Sequence, residues 1–262
     1  MIKMEERMEK SWKSLVVVTL VAVLASQAVL PAGAADDQKN DKEPVGYWRF
    51  EGETDAQRKA DSSKNNNKVA VFDRVEFVAG RTGQALKFTA PAATERSKSG
   101  VMLLSFADKY DFTKGFTFEA WIKPTLELNM AQRFELISNL EKDTGKGLSL
   151  HIGHNRCMWF VSGEGGSTPL YGAKSTWKLD FSPDKWHHVA GTYDGGCFMI
   201  YLNGVMIAKS ETGLKLTKGR PYFYVGSFIN GFAYGFDGLM DDVKIYDYAR
   251  TAEEISKDAA GE

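Results

Sequence analysis

The chain predicts an all-β sandwich, and three observations carry that expectation. Short runs of alternating apolar and polar side chains succeed one another from Val45 onward, the period-2 pattern of strands buried on one face. Its 25 glycines, 12% aromatic and 43% hydrophobic residues over 262 positions supply turns and a large apolar core. No long stretch shows helical periodicity.

The elements follow in order. A charged stretch ending at Lys13 precedes the apolar run Leu15–Ala25, and small residues lead to Ala32-Gly33-Ala34-Ala35. This pattern predicts a signal peptide over 1–34, cut after Ala34, and a secreted, periplasmic or cell-surface protein without membrane insertion after cleavage. The alternative is an uncleaved anchor, but the apolar run is about half the ~20 residues that a spanning helix needs. Residues 35–43 are charged, lack large apolar side chains and predict a solvated linker. One domain is expected over 44–255, then a tail over 256–262.

Within the domain, the alternation predicts strands at 45–50, 69–72, 84–88, 101–105, 116–123, 134–138, 147–152, 157–162, 186–193, 197–202, 205–209, 222–227 and 238–246. Asn203-Gly204 suits a two-residue hairpin turn, and Asp194-Gly195-Gly196 turns one strand into the next. Thr251 to Lys257 predicts a short helix, with Thr251 as N-cap and Glu254 at the capping-box position. Long loops fall at 53–68, 89–99 and 163–177, lengths more often functional than structural.

In the last strand, period 2 places Leu239, Asp241, Val243 and Ile245 on one face. A lone carboxylate on a core face requires hydrogen bonds or a cation. Cys157 and Cys197 are the two cysteines. In a meander they lie at the same end of one sheet, two strands and about 9–10 Å apart, too far for a bridge without a local bend. An oxidising compartment permits a disulfide; two semi-buried thiols are the alternative. The net charge of -1 provides no basic field for nucleic acid and fits an uncharged partner such as a glycan.

Several ordered motifs carry a family resemblance. They are Gly46-Tyr47-Trp48-Arg49-Phe50-Glu51-Gly52, Asp61-Ser62-Ser63-Lys64-Asn65-Asn66, Gly83-Gln84-Ala85-Leu86-Lys87-Phe88, and Phe116-Thr117-Phe118-Glu119-Ala120-Trp121-Ile122-Lys123-Pro124. Trp186-His187-His188-Val189-Ala190-Gly191-Thr192-Tyr193-Asp194-Gly195, Tyr201-Leu202-Asn203-Gly204 and Met240-Asp241-Asp242-Val243-Lys244-Ile245-Tyr246 complete the set. Together they resemble the laminin-G-like domain of the concanavalin A-like lectin/glucanase superfamily. The resemblance implies a two-sheet antiparallel jelly roll with a structural Ca2+ near its first and last strands. The matching positions are Glu51, Asp61 and Asp241, with Asn65 or Asn66 and backbone carbonyls completing an oxygen shell. Lys64, where the family motif has Gly, adds a positive charge there. The alternative is that Asp241 accepts backbone N–H bonds and Asp61 closes an Asx turn.

The resemblance also bears on catalysis. Glucanases of this fold carry E-x-D-x-x-E, with two glutamates flanking the scissile bond. Here Glu141-Lys142-Asp143 is followed at that spacing by Lys146, and Glu119 is a lone carboxylate. H-E-x-x-H and G-x-S-x-G are absent. His187 and His188 point to opposite faces of one strand and cannot chelate one ion. No catalytic residue is assigned.

Sugar rings stack on aromatic faces while polar groups fix their hydroxyls. Trp159, Tyr171, Trp177, Phe228, Phe232 and Tyr234 lie in or beside the long loops. The expected ligand site is Trp177, Tyr171, Asn230, Phe232 and Tyr234; the alternative is a Gly-aromatic hairpin packed on the sandwich. Trp48, Trp121 and Trp186 are expected in the core. The expected function is an exported, non-catalytic binding module for extracellular or cell-surface carbohydrate. A domain binding an extracellular protein, and a glycoside hydrolase or lyase with non-standard catalytic residues, are the alternatives.

Overall fold

The computed structural model describes residues 43–90, 99–125, 132–163, 170–176, 178–183, 185–228 and 234–262. The signal-peptide expectation and most of the expected linker lie outside them.

The chain opens with β1 (Gly46–Trp48), a single helical turn α1 (Asp55–Arg58), β2 (Val69–Asp73), β3 (Val75–Ala79), β4 (Gln84–Phe88) and β5 (Val101–Leu104). Strands β6 (Phe116–Pro124), β7 (Phe134–Ser138), β8 (Leu148–Ile152), β9 (Met158–Ser162) and β10 (Tyr171–Lys174) follow. The rest comprises β11 (His187–Tyr193), β12 (Phe198–Leu202), β13 (Val205–Lys209), β14 (Phe223–Val225), β15 (Gly238–Tyr246) and α2 (Ala252–Ala260). Two of these strands were not expected from the alternation. β10 is Tyr-Gly-Ala-Lys, too short to show a period, and β3 is a half-exposed edge strand.

All pairings are antiparallel, in two sheets. The eight-stranded sheet runs β13-β12-β11-β6-β15-β4-β3, with β1 also paired to β15; the seven-stranded sheet runs β10-β9-β8-β7-β14-β5-β2. This is the expected two-sheet jelly roll. Phenylalanines interlock between the sheets: Phe112, Phe116 and Phe160 stand 5.4 and 6.0 Å apart in succession, and Phe160 meets Phe198 at 5.1 Å. Of the three tryptophans expected in the core, only Trp48 is fully buried. Trp121 and Trp186 are half-buried, each beneath a cation, Arg81 and Lys123.

A bulge interrupts β15 between Asp241 and Lys244, where Asp242 takes φ 50°. The extra residue reverses the facing of everything beyond it. Met240, Val243 and Ile245 therefore face the core, and Asp241 does not. The core-face position expected for Asp241 is corrected: its carboxylate lies on the outer face, yet it is only 1% exposed. The β3–β4 turn covers it, and a Cβ on Gly80 would sit 2.7 Å from Asp241 Oδ2.

Thr251 caps α2 with the expected capping box, and Gly261 ends the helix at φ 83°. Ile255 packs on Ala190 and Tyr201, outside the eight-stranded sheet. Arg250 donates to both oxygens of Glu119 at 2.9 Å and to Asp258 at 2.6 Å, tying the helix to the sheet.

The cysteines depart from the meander expectation. Cys157 precedes β9 in the seven-stranded sheet, and Cys197 precedes β12 in the other. The strand directions put them at opposite ends of the sandwich, where both are buried thiols that form no bridge with one another.

Candidate functional site

The outer face of the seven-stranded sheet carries one transverse row of polar and aromatic side chains. Lys174 pairs with Trp159, Trp159 with His151, and His151 with Glu135, across β10, β9, β8 and β7. Alternation puts them there: Met158, Phe160, Leu150, Ile152 and Phe134, the neighbours along each strand, all belong to the core.

The row is held from both ends. The Lys174 ammonium stands 3.9 Å from the centre of the Trp159 ring. His151 stacks on the indole's neighbouring side at 5.8 Å and 27°. A Cβ on Gly153 would come within 2.9 Å of Trp159 Nε1, so glycine there makes room for the indole. The Ser149 hydroxyl contacts His151 Nδ1 at 2.8 Å and donates to Glu135 Oε1 at 2.5 Å. Arg133 donates to Glu135 Oε2 through Nε and Nη2, at 3.0 and 2.7 Å. Burial pushes the Glu135 carboxyl up, while Arg133 and Ser149 oppose the shift.

Arg133 also brings the β14–β15 connection into the site. Its guanidinium stacks 5.3 Å from Phe228 and 4.9 Å from Tyr234. The Glu135 amide donates to the Tyr234 carbonyl at 2.8 Å. Tyr234, at φ 56°, leaves 48% of its surface exposed. Beside the row, at the same end of the sandwich, a cavity of about 370 Å³ is lined by Asn155, Cys157, Trp159, Lys174, Ser175 and Thr176. Asn155 and Arg156, at φ 61° and 58°, make the tight turn on its rim. Consecutive non-glycine residues in the left-handed region carry a conformational cost that folded proteins often confine to functional sites. The Trp159 Nε1 hydrogen finds no acceptor among the described residues.

Of the expected ligand residues, the structure brings Tyr234 to this site and places Tyr171 elsewhere. Tyr171 opens β10 at the opposite end; its ring packs 6.4 Å from Phe198 and its hydroxyl donates to the Lys215 carbonyl at 2.6 Å. There it packs against the sandwich and does not join Tyr234. Trp177, Asn230 and Phe232 lie outside the described residues. Sequence reading did not assign Lys174, His151, Glu135, Ser149 or Arg133 to the site. The alternation Leu148-Ser149-Leu150-His151-Ile152 shows that Ser149 and His151 share a face, but only strand register aligns them with Glu135 and Trp159.

The expected metal positions do not form one carboxylate cluster. Among the described residues no group of three or more His, Cys, Asp or Glu side chains is arranged for an ion. Asp241 Oδ2 accepts from the Arg81 and Thr82 amides at 2.9 and 3.4 Å, and Oδ1 from the Asp242 amide at 2.8 Å. Burial, with the charge of Asp242, pushes its pKa up to about 7. Glu51 accepts from the Gln84 amide at 3.2 Å and packs on Gly83.

Asp61 is different, for it organises an oxygen-rich loop. It accepts from the Tyr47, Ser63 and Asn67 amides at 2.9, 2.8 and 2.8 Å, and from the Ser63 hydroxyl and Asn67 Nδ2. The Val45 carbonyl beside it accepts from Asn67 Nδ2 at 2.6 Å and Asn65 Nδ2 at 3.1 Å. One carboxylate, one hydroxyl and a carbonyl thus converge with two amide Nδ2 groups that donate to those oxygens, so Asn65 and Asn67 would have to turn their Oδ1 atoms inward to complete an oxygen set for Ca2+. Lys64 points away, 3.4 Å from Glu43.

Comparison with known proteins agrees with this architecture. Structures of similar fold include the crystal structure of HCR/D-Sa-GBL1/C, with a TM-score of 0.64 and 15% identity over 84% of this chain and 52% of that one. The binding domain of botulinum neurotoxin DC in complex with SialylT gives 0.63 and 16%, over 84% and 52%. The same toxin's binding domain in complex with rat synaptotagmin II gives 0.63 and 14%, over 84% and 51%. This chain spans about half the length of those structures, and at such identity the likeness is one of fold. The Laminin_G_3 family model, described as Concanavalin A-like lectin/glucanases superfamily, matches residues 97–256. With two antiparallel sheets in a jelly roll and a family match over more than half its length, the chain belongs to the laminin G-like family of that superfamily.

Proposed function

We propose that the chain is an exported, non-catalytic binding module for extracellular or cell-surface carbohydrate. The observation that carries this reading is the Trp159 cavity. The Trp159 indole, Asn155, Thr176 and the Lys174 side chain line about 370 Å³. Apolar surface with a few convergent polar groups is the composition of a small-molecule site. Tyr234 adds an exposed ring at the same end. The row holds one carboxylate, Glu135, and its oxygens are engaged by Arg133 and Ser149, whereas glycoside cleavage by the common mechanisms needs two. The likeness in fold to toxin binding domains supports a binding role. Export rests on the pattern of residues 1–34.

A second reading, a domain that binds an extracellular protein, is favoured by one observation. Edge strand β13 exposes Val205 and Met206 at 65% and 48%, an edge suited to strand addition.

Ca2+ belongs to the proposal as a structural ion of the Asp61 loop. Asp61, Ser63 and the Val45 carbonyl would hold it, joined by Asn65 and Asn67 once their amides turn Oδ1 inward, and without Glu51 and Asp241. A single carboxylate among neutral oxygens points to a weak site, with Kd on the order of 10⁻⁴–10⁻³ M.

Retention of the purified protein on immobilised polysaccharides tests the carbohydrate reading. Trp159→Ala and Tyr234→Ala are each expected to weaken binding at least tenfold, about 1.4 kcal/mol. Tyr171→Phe, at the other end, is expected to leave it unchanged. Capture of an extracellular protein that no glycan competes away would establish the second reading instead.

A further inference from the structure

We propose that the ligand is an acidic polysaccharide, whose carboxylate or sulfate is bound by Lys174; this rests on the carbohydrate reading above. The argument begins with charge. Two cations and one anion stand on the row and its border: Lys174, Arg133 and Glu135. Glu135 is spent on Arg133, which holds it through two nitrogens. Lys174 is left with no carboxylate partner among the described residues, and its ammonium stands over the Trp159 ring, 3.9 Å from the centre.

That contact orients the ammonium without neutralising it. An exposed cation on an aromatic face is weakly held, and a charge-assisted hydrogen bond to an anion is stronger. Lys174 is exposed and lines the same cavity as Trp159, Asn155 and Thr176. A sugar ring lying against the indole edge would therefore present its substituents to a waiting ammonium. A neutral ring would gain only the hydrogen bonds of the amide and hydroxyls. A uronate or a sulfate ester would gain the ion pair as well, beside groups that cannot themselves neutralise Lys174.

Two matched pairs of polymers test this on the purified full chain. Polygalacturonate is compared with its methyl ester, which removes the carboxylate charge, and κ-carrageenan with agarose, which lacks the sulfate. The expected result is at least tenfold tighter binding to an acidic member than to its neutral counterpart; which pair responds identifies the anion. Lys174→Met keeps the aliphatic stem over Trp159 and is expected to abolish the preference with an unchanged Tm, while Lys174→Arg retains it. Equal or tighter binding to the neutral members would overturn the acidic class and leave the carbohydrate reading standing. A preference that survives Lys174→Met would overturn the assignment to this residue. Retention on none of the four polymers, nor on a wider neutral panel, would overturn the carbohydrate reading and this inference with it.

Discussion

Among the described residues, four buried carboxylates avoid the cost of isolation in four ways. Glu119 is gripped by Arg250, Glu135 by Arg133 and a serine, and Asp61 by amides and a hydroxyl. Asp241 has only backbone N–H groups, with Asp242 as a charged neighbour. Its pKa is accordingly pushed up from 3.8 to about 7, and the sign of the consequence follows. A group whose folded pKa exceeds its unfolded one contributes stability that is full below the unfolded value and lost as pH rises through the folded value. The Asp241 contribution is therefore expected to decline between about pH 4 and pH 7. A carboxyl ¹³C titration should show its midpoint near 7, and Asp241→Asn should flatten the corresponding part of the stability profile. A midpoint below 4 would show that the three N–H groups outweigh burial.

At the scale of elements, the strands position chemistry that their own sequences do not announce. β10 supplies Lys174 despite being four residues long, because its register on β9 sets that residue beside Trp159. The β15 bulge turns Asp241 outward and delivers it to the β3–β4 turn. The loop of Asp61 closes over the Val45 carbonyl at the start of β1. If that loop holds Ca2+, millimolar calcium should raise the Tm of the wild type and leave Asp61→Asn unmoved. Equal responses in the two proteins would remove the ion from this loop. The capping box at Thr251 and Glu254 was legible in the sequence, since it depends only on residues three apart.

At the scale of the molecule, closure depends on long-range pairing. β1 and β4 both lie along β15, so the beginning and end of the domain complete one sheet. The stacked sheets also separate the two cysteines, which lie in different sheets and at opposite ends. The native fold therefore needs no disulfide. Thermal unfolding is expected to give the same Tm with and without reductant, and Cys157→Ser should refold as the wild type does. A lower Tm on reduction would mean that the cysteines approach one another in solution.

The sequence by itself determined the fold class, most of the strand positions, the Asn203-Gly204 turn and the terminal helix, because period-2 burial, turn chemistry and capping act over a few residues. Its ordered motifs also marked Asp61, Glu51 and Asp241 as positions of interest, and its aromatic loops marked Tyr234. What only the tertiary structure decided is which of these meet. Strand register aligned Lys174, Trp159, His151 and Glu135; a one-residue bulge reversed the facing of Asp241; and the antiparallel register of β10 on β9 set Tyr171 at the far end from Tyr234. Each is a relation between segments far apart in the chain, set by hydrogen-bonded pairing and core packing that no local pattern of side chains encodes.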